Sequence, residues 1–411
     1  MRQAVLGCII LIVCLMITGC WNRTELNEIG IRIATGFDRQ DGKWVMSYQI
    51  IVPSSVGTGQ GGGGGGANPS IHVFSTKGET IREAADLGYV ENPRRLYFGH
   101  TDVLIIGKEA AKEGLMQILD LYFRNIDARE TVLVAITDGK AKDILKKLIP
   151  PEKMPGAALS EILRKETSFS SIFPLIKMYQ LAQKITSDSG AAGVPEIRFT
   201  GGESRELESQ EAEKLTSSPG KLKISRLGVF RREHFVGWMN RQESFGISWL
   251  SDQVKGSTIS FGCTQDDLQH KNSSFRVITS KTKVTPEKVG DHYKMKIRIK
   301  AAGNMLEFQC KDDLTKPESI RMIERNIEKE ILDYIDTGWK ASKKMRVDLP
   351  GFADKVHRKY PNDWRKIKGS WPEHYENIEL DVQVKVSVKR PGLFKKSFKN
   401  LTKEFDWKDG S

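Results

Sequence analysis

The chain has 411 residues, 39% of them hydrophobic and 28% charged, which suits two or three ordinary domains and excludes a multi-spanning membrane protein. Its net charge is +12, and the excess sits in one half: residues 221–411 hold 39 Lys and Arg against 26 Asp and Glu, while residues 1–220 hold 25 against 26. Nucleic acid is the usual partner of a basic half, but the N-terminus argues for export and so against it. The apolar run Ala4 to Gly19 follows one early cation, Arg2, and ends in small residues. It is shorter than the roughly 20 residues of a membrane span, which is the build of a secretory signal peptide. An exported basic half implies an anionic neighbour: lipid headgroups, wall polymer or an acidic partner domain.

The run ends in Ile17-Thr18-Gly19-Cys20, a branched aliphatic residue, two small residues and a cysteine. It resembles the lipobox of bacterial lipoproteins. That resemblance implies cleavage between Gly19 and Cys20, with a diacylglycerol on the Cys20 sulfur and an acyl group on its new amine. One acyl chain binds a membrane marginally, and two or more hold it stably. Cys8 and Cys14 lie in the same run without the small pair before them.

After the leader, Trp44 to Val52 and Ile71 to Gly78 are rich in β-formers and read as strands. Between them Ser54 to Ser70 carries six consecutive glycines, Gly61 to Gly66. Glycine loses the most backbone entropy on ordering, so this stretch reads as a disordered loop inside a domain. No Gly-Lys-Ser/Thr follows, so it is not a phosphate loop. Glu79 to Val90 reads as a helix, Thr101 to Gly107 as a buried strand, and Lys108 to Asn125 as one helix with Leu115, Ile118, Leu119 and Tyr122 on a face. Thr131 to Gly139 is another buried strand, and Ala141 to Leu148 a short helix stopped by Pro150-Pro151. Helical pieces follow at Leu159 to Glu166 and Pro174 to Ile185.

The polar, acidic stretch Thr200 to Lys221 reads as a linker or exposed loop, and the charge balance flips after it. Leu222 to Asn240 suggests a hairpin turning near Arg231 to His234. Phe275 to Asn304 holds two strands, the second with Tyr293, Met295, Ile297 and Ile299 on one side and Lys294, Lys296, Arg298 and Lys300 on the other. Pro317 to Met345 is a long amphipathic helix striped by Ile320, Ile323, Ile327, Ile331, Ile335 and Trp339. Asn377 to Arg390 alternates from Ile378 to Val388 with one wet face, which predicts an antiparallel or mixed sheet packed on that helix. The expected fold is therefore α+β and multi-domain, with mixed or antiparallel sheets packed with helices. The divisions are a signal peptide (1–19), an N-terminal α/β domain (20–199), the linker (200–221), a C-terminal α+β domain (222–395) and a basic tail (396–411).

No catalytic pattern emerges. The seven histidines are scattered, and there is no HExxH, G-x-S-x-G, CxxC or dinucleotide fingerprint, so no enzyme, metal or cofactor is expected. Cys263 and Cys310 remain in the mature chain. In an exported protein they can bond or stay as two buried thiols, and their spacing does not choose. Two stretches carry a possible interaction surface. One is Glu91 to Gly107, with Arg94 and Arg95. The other is Phe352 to Tyr375, with His357, Arg358, Lys359, Arg365 and Lys366 among Tyr360, Trp364, Trp371 and Tyr375. The competing reading packs the tryptophans on the core and leaves the cations solvated, and for the aromatics it is the preferred one.

Taken together, "GCWNRTELNEIG", the glycine run, "PRRLYFGHTDVLIIGKEAAKEG", "RLGVFRREHFVGWMNRQESFGISWL" and "VHRKYPNDWRKIKGSWPE" occur in an order that resembles the Ger(x)C family, the C-subunit lipoproteins of nutrient germinant receptors in spore-forming Gram-positive bacteria. The resemblance implies a mixed α/β fold in several domains and no known enzymatic activity. It implies anchoring on the outer face of the spore's inner membrane, with an integral-membrane A subunit and a multi-spanning B subunit as partners. The complex responds to amino acids, sugars or nucleosides. The alternatives are a solute-binding lipoprotein of a transporter, which needs two similar lobes where these halves differ in pattern, and a wall-modifying enzyme, which lacks a motif.

Overall fold

In a computed structural model the described residues are 29–51, 71–97, 99–125, 128–150, 154–201, 207–208, 220–263, 271–310 and 312–390, with a few isolated positions besides. The signal peptide, Gly19, Cys20, the glycine run and the basic tail lie outside them.

Strands β1 (Ile29–Gln40), β2 (Lys43–Ile51) and β3 (Ile71–Gly78) form an antiparallel meander. Helix α1 (Ile81–Val90) follows, capped by Thr80, whose hydroxyl accepts from the Glu83 N–H. Then come β4 (Arg95–Tyr97), β5 (Val103–Gly107), α2 (Lys108–Glu113), α3 (Met116–Arg124), β6 (Leu133–Thr137), α4 (Ala141–Leu145) and α5 (Pro155–Lys165), the last ending in one π turn, Glu166–Ser170. Next are β7 (Ile176–Lys177), α6 (Met178–Thr186), β8 (Ala191–Gly201), β9 (Gly220–Arg231) and β10 (His234–Met239). All ten strands join one mixed sheet in the order β10-β9-β8-β6-β5-β1-β2-β3, with β4 on β1 and β7 on β6. β1, β5 and β6 run parallel, and the pairs at both ends are antiparallel.

The sheet is covered on both faces. Phe37, Tyr48, Leu104, Ile106 and Val134 pack under α1, α2, α3 and α6, while Ala34, Val103, Ile105 and Ala135 pack under α4 and α5. Central strands β5 and β6 are accordingly apolar on both sides, as a doubly covered parallel segment requires. Asp38 is buried at the end of β1 and accepts from the Ala141 and Lys142 N–H groups, so it caps α4 from a distant strand.

One expectation is corrected. Lys108 to Asn125 is not one helix: Gly114 takes φ 129°, and the Leu115 N–H leaves the helical ladder to bond the Glu233 carbonyl in the β9–β10 turn. The apolar spacing runs through the break because both helices face the same core. The stretch 200–221, expected as a linker or exposed loop, connects two neighbouring strands of one sheet, with Gly201 opposite Gly220, and the first sheet runs through β10 to Met239. Within that segment Leu207 is buried and Glu208 pairs with the buried Lys147.

The second body begins with α7 (Arg241–Leu250), started by an Asn240–Glu243 capping box. It continues through β11 (Ser257–Phe261), β12 (Ser273–Val289), β13 (His292–Glu307), α8 (Pro317–Met345), α9 (Phe352–Lys359), α10 (Pro361–Ile367), α11 (Trp371–Glu376) and β14 (Glu379–Arg390). Its four-stranded sheet, β11-β12-β13-β14, is antiparallel except for the parallel β13–β14 pair. The expected stripe of α8 is buried from Ile323 to Trp339, with Ile320 half-buried. Helix α8 also closes the open edge of β14: Glu328 and Glu324 carboxylates accept the Val386 and Val388 N–H groups at 2.9 and 3.0 Å. The two bodies share one core, in which Leu227 and Val229 of β9 meet Ile247, Trp249 and the α8 stripe.

Candidate interaction surfaces

The two stretches singled out in the sequence fall on different bodies. Arg95 lies in β4 opposite Ile29, and the Arg94 N–H closes a turn on the Asn92 side chain beside a shallow cleft with His72 and Glu91. His357, Arg358 and Lys359 end α9, and Arg365 and Lys366 lie on α10. Trp364, Trp371 and Tyr375 are core residues at 4%, 5% and 1% exposure, so the aromatics of this stretch hold the helices together.

Several of the cations there are engaged. His357 Nδ1 sits 2.6 Å from Asp188 Oδ2 in the α6–β8 turn, which ties the second body to the first. Asp354 adds to that tie by accepting the Asp188 and Ser189 N–H groups. Lys359 donates to the Pro286 carbonyl, and Arg365 donates to Asn362. Arg358 and Lys366 are exposed and form no ion pair among the described residues.

A larger basic surface lies on the outer face of the four-stranded sheet. The sequence shows one strand of it, Lys294 to Lys300; strand register supplies the rest. Lys281, Lys300 and Lys385 stand opposite one another on β12, β13 and β14. Lys283, Arg298 and Gln383 form the next row, and Thr285, Lys296 and Asp381 the one after. Like charges directly opposite on neighbouring strands destabilise a sheet by some tenths of a kcal/mol each. Burial of Met295, Ile297 and Ile299 on the inner face outweighs this, at roughly 1.5–3 kcal/mol per side chain. Lys281 is paired with Asp252, Lys296 with Glu287 and Lys385 with Glu328, but Lys283, Arg298 and Lys300 are exposed with no carboxylate partner among the described residues.

Cys263, just past β11, is disulfide-bonded to Cys310, just past β13, with Cα atoms 5.3 Å apart. The bond joins the ends of β11 and β13. At the start of α9 the buried Asp348 accepts the Phe352 and Ala353 N–H groups and the Trp371 indole N–H. Burial outweighs these three bonds and pushes its carboxyl up to about 6. In the first body Glu196, fully buried, takes a bidentate pair from Arg226, which also bonds Asp138 and stacks on Trp238. These groups serve packing: each is saturated by neighbours and none opens on a reaction cleft. Among the described residues no three His, Cys, Asp or Glu converge, and no helix is long and apolar enough to cross a membrane.

Two covered sheets sharing a core, one with a basic outer face, define a multi-domain α+β protein. Comparison with known proteins narrows the class. Residues 22–199 match the family described as spore germination protein N-terminal domain, and residues 225–392 match spore germination B3/GerAC like, C-terminal. The chain therefore belongs to the Ger(x)C family of spore germination proteins. It is 28% identical over 411 residues to spore germination protein KC of Bacillus subtilis (strain 168), covering 98% of this chain and 99% of that one. It is 23% identical over 388 residues to spore germination protein B3 of the same organism, covering 91% and 94%. The crystal structure of the GerBC protein shares the fold, with a TM-score of 0.50 at 16% identity over 86% of this chain and 96% of that one.

Proposed function

We propose that this chain is the lipid-anchored, non-catalytic subunit of a spore germinant receptor, held at the outer face of the spore's inner membrane through Cys20 and working with A and B subunits in the response to nutrients. The observation that carries the reading is end-to-end similarity to proteins named for spore germination, with both family domains in order behind Ile17-Thr18-Gly19-Cys20. Its work is binding and coupling. The thioether-linked diacylglycerol and the N-acyl chain supply three chains, enough for stable anchoring. The basic face on β12–β14 then supplies orientation. A basic side chain near an anionic leaflet contributes about 1 kcal/mol, so Lys283, Arg298 and Lys300, which have no carboxylate partner among the described residues, can favour one pose over others by about 3 kcal/mol.

The test is replacement of the gene by a Cys20→Ala allele and by a deletion. The proposal expects both to slow nutrient-triggered germination, and expects the Cys20→Ala chain to leave the lipid-modified membrane fraction. Normal germination of the deletion strain to every nutrient tried would overturn it.

A further inference from the structure

A cleft of about 220 Å³ lies where the two bodies meet. One water needs about 15 Å³ in this measure, so the space holds a small organic molecule. Helix α6 forms one wall with Gln180, Gln183 and Lys184, which share a face at i, i+3 and i+4. The turn after α7 forms the other with Ser251 and Gln253. Leu227 and Ile247 supply an apolar lining, and Gly193 keeps the floor open: a Cβ there would fall 2.7 Å from a Leu227 methyl.

The polar groups of this cleft are left over. Lys184 Nζ makes no hydrogen bond or ion pair among the described residues, although burial pushes its pKa down against the pull of Asp354 and Asp348. Lys355 is the further cation that acts on it. Ser251 Oγ is shielded from water and has no hydrogen-bond partner among the described residues. Gln180 Oε1 already accepts the Lys177 N–H, which leaves its amide N–H groups as its remaining polar capacity. An ammonium drawn out of water without a partner costs more than the roughly 1–3 kcal/mol of an unpartnered hydroxyl, so Lys184 Nζ calls for an acceptor in the cleft. No Asp or Glu lines the cleft.

We propose that this cleft binds a small monocarboxylate of about four to six carbons, its carboxylate accepting from Lys184 Nζ and its hydrocarbon body packed on Leu227 and Ile247. The Lys184 cation selects an anion over an amine. It also disfavours a zwitterion, whose ammonium finds no carboxylate. A ligand seated there touches α6 of the first body and the α7 turn of the second, and so ties the two together. The inference does not depend on the receptor reading.

The chain from Trp21 to Ser411 keeps every described strand and helix and all four buried clusters, so it is the material for the test. Calorimetric titration with 4-methylpentanoate, its neutral amide 4-methylpentanamide, L-leucine and inorganic phosphate gives the specificity. The proposal expects 4-methylpentanoate to bind at least tenfold tighter than the amide and than L-leucine, with phosphate weaker still. It expects Lys184→Met to lower carboxylate affinity at least tenfold while its thermal midpoint stays or rises. No heat from 4-methylpentanoate at 10 mM, equal affinity for acid and amide, or unchanged affinity in Lys184→Met would each overturn it. The acid–amide comparison uses unaltered protein and stands even if a variant fails to fold.

Discussion

Gly246→Ala separates the packing of α7 on α8 from the helix-forming tendency of the sequence. A Cβ on Gly246 would lie 2.0 Å from the Tyr334 carbonyl oxygen, and one on Gly338 would lie 2.6 Å from the Glu243 carbonyl oxygen. The helices thus touch backbone to backbone, flanked by Phe245 stacked edge-on against Tyr334 at 4.9 Å. Ordinary contact begins near 3.4 Å, so one methyl must push the axes apart by more than an ångström or bend one of them. A gap of 0.5–1 Å already forfeits a quarter to a half of each dispersion contact, and overpacking costs about 1–3 kcal/mol, occasionally more. Against this, Ala gains about 1 kcal/mol over Gly in a helix interior. With Trp249 and Ile335 both buried at this crossing, the cost lies at the upper end of the overpacking range, and the expected net loss is about 2 kcal/mol. For a body of about 150 residues that lowers the thermal midpoint by roughly 4–8 °C. Calorimetry of the chain from Trp21, with Gly369→Ala as control because its added Cβ meets nothing within 4 Å, reads the shift. A Gly246→Ala midpoint equal to or above the parent would refute the close approach.

Replacing Cys263 and Cys310 by Ser opens a loop spanning 47 positions, which in the chain-entropy treatment removes about 4 kcal/mol; a urea midpoint unchanged from the oxidised parent would contradict the bond's structural role. Asp348 holds its proton to about pH 6 in the fold but to about 4 when unfolded, so its contribution is full below pH 4 and lost as pH rises through 6. The parent should therefore lose roughly 3 kcal/mol relative to Asp348→Asn between pH 4 and 6, and parallel stability curves would exclude this. Changing Lys283, Arg298 and Lys300 together to Gln should weaken binding of the Trp21–Ser411 chain to phosphatidylglycerol vesicles about a hundredfold, at about 1 kcal/mol per cation, with neutral vesicles unaffected. Equal loss on both vesicle types would point to misfolding.

Much of the second body is legible because its periods are strong. The alternation of β13 and the stripe of α8 persist over sixteen and twenty-nine residues, and both bury the faces their patterns name. The hairpin turn is marked by Arg232 at φ 53°, just where the β-rich runs are interrupted. The break at Gly114 is not legible, since Leu115, Ile118 and Leu119 keep helical spacing across it. Composition does not choose between linker and loop at 200–221, where an acidic excursion joins β8 to β9, because strand pairing is set by distant partners and not by the polarity of the connection. The basic face is half legible: one strand shows its cations, but only register aligns Lys281, Lys300 and Lys385. The cleft at Lys184 carries no signal at all, as Gln180, Gln183 and Lys184 read as any solvated helix face until Ser251 and Gln253 are folded opposite them.

Affinity capture of the tagged chain from spore inner membranes, followed by mass spectrometry of its N-terminus and of the proteins that come with it, bears most directly on the receptor reading. The account predicts a chain beginning at lipid-modified Cys20, accompanied by an A-type and a multi-spanning B-type subunit. A chain captured alone, with residues 1–19 still attached and Cys20 unmodified, would contradict it.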